Sequence, residues 1–157
     1  MNVAVKTELP PIMLVEDDQS DALLLRRAFE RAGVENPIHS VSHGDKALAW
    51  LEGIGEYENR IRFPLPSFIL LDLKLPGMSG LQLLKWTRTR RDLRLIPVVI
   101  LTNSADAADV KSAYEAGANS YLVKPANRDE IYRVVEVIRK YWLEHNVTPS
   151  LVLRATG

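Results

Sequence analysis

Three acidic residues in a row, Glu16-Asp17-Asp18, follow the apolar run Ile12 to Val15, and Asp72 follows the apolar run Phe68 to Leu71. Thr102 ends a third such run, Val98 to Leu101, and Lys124-Pro125 ends a fourth, Tyr121 to Val123. In an open parallel α/β sheet, ligands bind beyond the carboxyl ends of the strands, so acids, a hydroxyl and a cation meet on one rim if these runs are strands. Carboxylates packed together drive one another's pKa upward unless a cation neutralises them. Magnesium suits the task, because it prefers carboxylate oxygens and is commonly held by one or two protein carboxylates plus a phosphate oxygen. Asp17 and Asp72 can supply those ligands. With Mg²⁺ and Lys124 present, such a site can neutralise a phosphoryl group moving in line onto the Asp72 carboxylate, which acts as the nucleophile. The Thr102 hydroxyl can donate to the bound group and move toward it, which ties modification to loop shape.

The elements that must position these residues are legible as an alternation. The four runs above and Ile38 to Val41 read as strands. Leu24, Leu25, Ala28, Phe29 and Ala32 have helical spacing and are closed by Gly33 in a position that favours a left-handed cap. Ser79 with Gln82, and Asn127 with Glu130, are spaced as capping boxes that open the third and fifth helices. The second helix is expected over Lys46 to Gly53 and the fourth over Ala107 to Ala116, ended by Gly117. Strand and helix alternate five times, which implies a parallel sheet covered on both faces. The polar, proline-containing stretch Gly53 to Pro66 interrupts the pattern, and loops of this length are often functional or mobile.

Composition narrows the classes. The chain has 157 residues, 46% hydrophobic and 25% charged, with a formal net charge of zero, the profile of one ordinary globular domain. It has no cysteine, which excludes disulfides, a thiolate zinc site and a cysteine nucleophile, and makes the cytoplasm the natural compartment. No apolar run approaches the length of a membrane helix, and Met1 to Pro11 lacks the form of a signal peptide, so neither membrane nor export is expected.

Several motifs in order carry a family resemblance. Leu14-Val15-Glu16-Asp17-Asp18, the segment Leu71-Asp72-Leu73-Lys74-Leu75-Pro76-Gly77-Met78-Ser79-Gly80, Thr102 and Tyr121-Leu122-Val123-Lys124-Pro125 resemble the receiver domain of two-component response regulators. The resemblance implies a flavodoxin-like (βα)5 doubly wound five-stranded parallel sheet, order 2-1-3-4-5. It makes Asp72 the phosphoacceptor, Glu16 and Asp17 the acidic pair serving Mg²⁺, and the backbone carbonyl of Lys74 a further metal ligand. Thr102 becomes the switch hydroxyl, Tyr121 the aromatic whose rotamer follows it, and Lys124 the phosphate partner, with the Lys124-Pro125 bond expected cis. Glu16 stands where the family often has Asp, which keeps the charge on a longer arm. Asp18 falls outside the metal's ligands, and Lys74 and Ser104 occupy positions that tune phosphoryl lifetime. The expected organisation is an N-terminal extension over 1–11, the receiver over 12–146 and a tail over 147–157, with no room for an attached DNA-binding domain.

Within receivers, Gly55-Glu56-Tyr57-Glu58-Asn59 and Tyr141-Trp142-Leu143-Glu144 look like the response regulators partnered with bacterial and cyanobacterial phytochromes. The implied partner is a sensor histidine kinase, a phytochrome in this reading, or a histidine phosphotransfer protein. The chain would catalyse only its own phosphorylation and dephosphorylation. A chemotaxis-type receiver that binds another protein is the alternative within the family. A haloacid-dehalogenase-type phosphatase needs a second Asp where Lys74 stands, and a flavodoxin-like electron carrier needs a phosphate-cradling loop where Glu16-Asp17-Asp18 stands.

Blander readings account for other features. A lone strand-end Asp is usually solvated or a cap, and Tyr121 alone would be a core aromatic. Arg88, Arg90, Arg91 and Arg94 suit a helix C-terminus without any nucleic acid. His39, His43 and His145 lack the spacing of a metal site, and Gly53-Ile54-Gly55 lacks the context of a dinucleotide loop. Ile131, Val134, Val135, Ile138, Tyr141 and Trp142 have core-facing spacing, with Val137 off the stripe. The apolar tail Val147 to Leu153 adds hydrophobic surface beyond what a monomer needs, from which a homodimer is expected.

Overall fold

A computed structural model of the chain describes residues 9–149. The strands are β1 (Ile12–Val15), β2 (Ile38–Val41), β3 (Phe68–Leu71), β4 (Val98–Thr102) and β5 (Ser120–Val123), alternating with α1 (Gln19–Arg31), α2 (Gly44–Glu52), α3 (Gly80–Thr89), α4 (Ala107–Glu115) and α5 (Arg128–Ile138). They form one parallel sheet of order β2-β1-β3-β4-β5, the flavodoxin-like arrangement expected.

Successive strand side chains point to opposite faces, and the core divides accordingly. Met13, Val15, Ile69, Leu71, Val98 and Ile100 pack with Ala47, Trp50, Leu51, Leu83, Leu84 and Ala113 of α2, α3 and α4. Ile12, Leu14, Phe68, Leu70, Val99 and Leu101 pack on the other face with Leu25, Ala28 and Phe29 of α1 and Ile131, Val135 and Ile138 of α5. β1, β3 and β4 are therefore buried throughout, while the edge strands β2 and β5 stay mostly half-buried.

Caps set the helix limits. Asp18 accepts from the Asp21 N–H and starts α1, and Gly33 follows its end at φ 78°, in the left-handed region that glycine enters without a Cβ penalty. Ser79 and Gln82 form the expected capping box of α3. The second box is corrected: Asn127 accepts from the Asp129 N–H at 2.8 Å, an N2 contact that leaves Glu130 without a reciprocal role in the cap.

The Gly53 to Pro66 connection is packed. After a short 3₁₀ turn at Gly55–Tyr57, the rings of Tyr57 and Phe63 each lie 5.1 Å from Trp50. The Arg60 guanidinium donates to the Trp50 and Leu51 carbonyls at the end of α2, at 2.6 and 2.7 Å. At the other end of the chain α5 continues as a π-helical segment, Arg139–His145. The wider turn changes the phase of the face, so Trp142 still packs near Phe68 while Tyr141, expected on the core stripe, is exposed. Val137 is exposed, as its off-stripe position implies. Of the apolar tail, residues from 150 onward lie outside the described residues.

Candidate functional site

Register brings the site together. Val15 of β1 pairs with Leu71 of β3, so the first residues past each strand, Glu16 and Asp72, emerge side by side. Each is held by the neighbouring strand: the Asp72 N–H donates to the Val15 carbonyl at 3.1 Å and the Glu16 N–H to the Val41 carbonyl at 3.0 Å. Thr102 of β4 pairs with Val123 of β5, and the Lys124 N–H donates to the Thr102 carbonyl at 2.7 Å. Gly80 completes the floor, because a Cβ there would collide with the Asp72 carbonyl oxygen.

The Lys124 ammonium is the centre of the site. It donates to Glu16 Oε2 at 2.6 Å, Asp72 Oδ2 at 2.8 Å and Asp21 Oδ2 at 3.1 Å. The other Asp72 oxygen, Oδ1, accepts from the Thr102 hydroxyl at 2.9 Å and from the Lys74 N–H at 3.1 Å. Glu16 Oε1 accepts from the Asp18 N–H at 3.1 Å. Glu16, Asp72 and Thr102 are buried and Asp17 is exposed.

Burial and charge oppose one another here. Burial pushes the Glu16 carboxyl up to about 7 against the pull of Lys124, with the Asp72 charge adding to the rise. Burial acts the same way on Asp72, but the hydrogen bond and charge of Lys124, with the Lys74 N–H and Thr102 hydroxyl, carry its carboxyl below the ordinary value. Burial would lower the Lys124 ammonium, yet Asp72 and Glu16 hold it above its ordinary range. Asp72 is thus an ionised carboxylate with both oxygens oriented, which is what a nucleophile requires.

One carboxylate oxygen each from Glu16, Asp17 and Asp72 lies within 4.8 Å of the others. One ammonium does not balance this set, and hard oxygen donors at such spacing fit a divalent cation. Lys74, expected to offer its carbonyl there, places its N–H on Asp72. Asp18 is committed to the α1 cap and lies outside the acidic cluster.

Tyr121, two strands from Asp72, donates its hydroxyl to the Ser104 carbonyl at 2.8 Å, in the loop that follows Thr102. Its phenol is raised, chiefly by burial. The Lys124-Pro125 expectation is corrected: no peptide bond among the described residues is cis. Trans is the lower-energy X-Pro form by about 0.5–1 kcal/mol, and with it the Lys124 ammonium already reaches all its acidic partners.

Asp21 is the site residue that strand-end reasoning missed, because it stands in the first turn of α1. Its position three residues after Asp18, the cap of α1, was the available signal, since the cap and the third helical residue share one turn. Beside it a cleft of about 240 Å³ is lined by Ser20, Asp21, Asn103, Lys124, Pro125 and Asn127, among others.

Arg88, Arg90 and His39 have structural employment. Arg88 donates to the Gly117, Arg94 and Ile96 carbonyls and to Asn119 Oδ1, and Arg90 pairs with Glu52 at 3.4 Å. His39 lies against Trp50 with ring centroids 4.7 Å apart. Among the described residues no helix is long and apolar enough to cross a membrane.

Comparison with known proteins agrees with this geometry. The family model of the response regulator receiver domain matches residues 12–136. The chain is 41% identical over 142 residues to the "Probable methanogenesis regulatory protein FilR2" of Methanothrix harundinacea, covering 88% of this chain and 87% of that protein. It is 37% identical over 143 residues to response regulator Rcp1 of Synechocystis, covering 90% and 95%. The crystal structure of Mn²⁺-bound Rcp1 superposes with a TM-score of 0.83 at 36% identity, over 90% of this chain and 99% of that one. The phosphorylated cyanobacterial phytochrome response regulator RcpA superposes at 0.84 with 34% identity, over 89% and 98%.

Proposed function

The chain belongs to the response regulator receiver family, homologous to phytochrome response regulators, and from that premise we propose that Asp72 is its phosphoacceptor. The observation that carries the assignment is the Asp72 carboxylate itself, ionised, with one oxygen on Lys124 and the other on Thr102 and the Lys74 N–H. A carboxylate oxygen of Asp72 forms the bond to phosphorus as the donor's bond breaks, and Lys124 follows the charge onto the phosphoryl oxygens. Glu16, Asp17 and Asp72, with the Lys74 carbonyl, hold Mg²⁺ in this reading, supported by the clustered oxygens of the three acids. Bound there, Mg²⁺ supplies positive charge to the transferring group.

Thr102 is the readout. Its hydroxyl leaves Asp72 Oδ1 for a phosphoryl oxygen, and because Tyr121 is bonded to Ser104, two residues on, the loop and the aromatic move with it. The chain catalyses only its own phosphorylation and dephosphorylation. The donor is a sensor histidine kinase or a histidine phosphotransfer protein, and the likeness to Rcp1 and RcpA favours a phytochrome kinase; a chain without cysteine suits the cytoplasm. Exposed Val137, Tyr141 and Val147 near the end of the described chain support a homodimer.

The test is acid-labile labelling by acetyl phosphate with Mg²⁺. Asp72→Asn abolishes it, whereas Thr102→Ala still accepts the group but loses the coupled change in Tyr121 fluorescence. Undiminished labelling of Asp72→Asn overturns the assignment. Phosphotransfer from red-light-sensing histidine kinases, compared with other kinases, tests the partner.

A further inference from the structure

A lysine ammonium has three N–H groups, and a carboxylate stands within 3.1 Å of the Lys124 nitrogen from each of Glu16, Asp72 and Asp21. Two of these acids belong to the strand ends. The third is of a different kind: the Asp21 side chain is 39% exposed, against 2% for Glu16 and 8% for Asp72, and it makes the longest of the three contacts. Its place is set from α1, where the cap bond from its N–H to Asp18 at 2.9 Å fixes the turn that carries it. Asp21 and Asp72 oxygens touch the same nitrogen, at 3.1 and 2.8 Å, so the two charges stand within about 6 Å, where like charges repel unless water screens them.

We propose that Asp21 restrains phosphoryl acceptance at Asp72, by occupying one Lys124 donor and by holding a carboxylate beside the incoming group. The proposal rests on the reading of Asp72 as phosphoacceptor. In the transfer from acetyl phosphate, an Asp72 oxygen forms a bond to phosphorus as the phosphorus–oxygen bond to the acetyl group breaks, and acetate leaves with the bonding pair. One carboxylate charge at Asp72 is replaced by about two on the phosphoryl oxygens. A neighbouring negative charge opposes both the approach of the anionic donor and the more highly charged product. Removing Asp21 leaves the proposed metal ligands and the two shorter Lys124 contacts in place.

The experiment measures the rate of acid-labile labelling by acetyl phosphate at saturating Mg²⁺ for the unaltered chain, Asp21→Asn, Asp21→Glu and Asp72→Asn. Asp21→Asn labels about three- to tenfold faster, the range for one partly screened charge at this separation. Asp21→Glu keeps the charge and stays near the unaltered rate, and the advantage of Asp21→Asn shrinks as salt is added. A merely structural role for Asp21 does not produce that salt dependence. Labelling of Asp21→Asn at or below the unaltered rate overturns the restraint while leaving the phosphoacceptor in place, and labelling of Asp72→Asn overturns both.

Discussion

Replacing Lys124 by Met removes the ammonium that three carboxylates share and leaves a side chain of similar length. The lysine side chain is 5% exposed, and two of its partners, Glu16 and Asp72, are 2% and 8% exposed. Breaking a buried pair by removing one member costs about 3–5 kcal/mol, because the remaining charge is stranded. The Asp21 contact, on a side chain 39% exposed, adds little once solvent screening is counted. For a chain of this size the loss corresponds to roughly 6–20 °C in melting temperature. Glu16, already pushed up to about 7 by burial, takes a proton more readily without Lys124, so the loss is smaller near pH 6 than near pH 8. A divalent cation replaces the missing charge: at about 100 times its dissociation constant it restores about 2.7 kcal/mol. The assay is urea unfolding followed by circular dichroism, with EDTA and with Mg²⁺, for both proteins. A Lys124→Met chain within about 1 kcal/mol of the unaltered one in EDTA means that Lys124 does not hold these buried charges together. Equal stabilisation of both by Mg²⁺ points the same way, since the variant has lost the cation that competes for the same oxygens.

Arg88→Lys leaves the Gly117, Arg94 and Ile96 carbonyls and Asn119 without the guanidinium fork that a lysine cannot reproduce, and lowers stability by about 2–4 kcal/mol, read from the urea midpoint. His39 is held below its ordinary pKa by burial and then by Arg26. The unfolded chain therefore binds its proton first, so this contribution is complete above about pH 6.5 and is lost as the pH falls through the lower folded value. His39→Gln flattens the pH dependence of stability in that window, and an unchanged slope counts against the assignment.

The strand ends were readable because a strand buried on both faces stays apolar until it leaves the sheet. The change from Leu71 to Asp72, or from Val15 to Glu16, therefore marks where chemistry can begin. Strand order was carried by the family likeness and not by periodicity. Reading failed where geometry depended on a turn's phase or on a distant partner. Tyr141 left the core stripe because the helix widened after Ile138, and Arg88, which suits a helix C-terminus, instead binds a carbonyl 29 residues away. The 53–66 connection looked loose because nothing local shows that Tyr57 and Phe63 have Trp50 to pack against.

Local pattern was enough to pick out the polar residues at the strand ends, Glu16, Asp17, Asp72, Thr102 and Lys124, each at or just past the end of a short apolar run. How their charge is shared depended on the packing of distant elements. Lys124 meets Asp21 across 103 residues of chain because α1 and α5 pack on the same face of the sheet, bringing the first turn of α1 beside the end of β5. No local pattern encodes that encounter, since it depends on which strands are neighbours and on which face each helix returns.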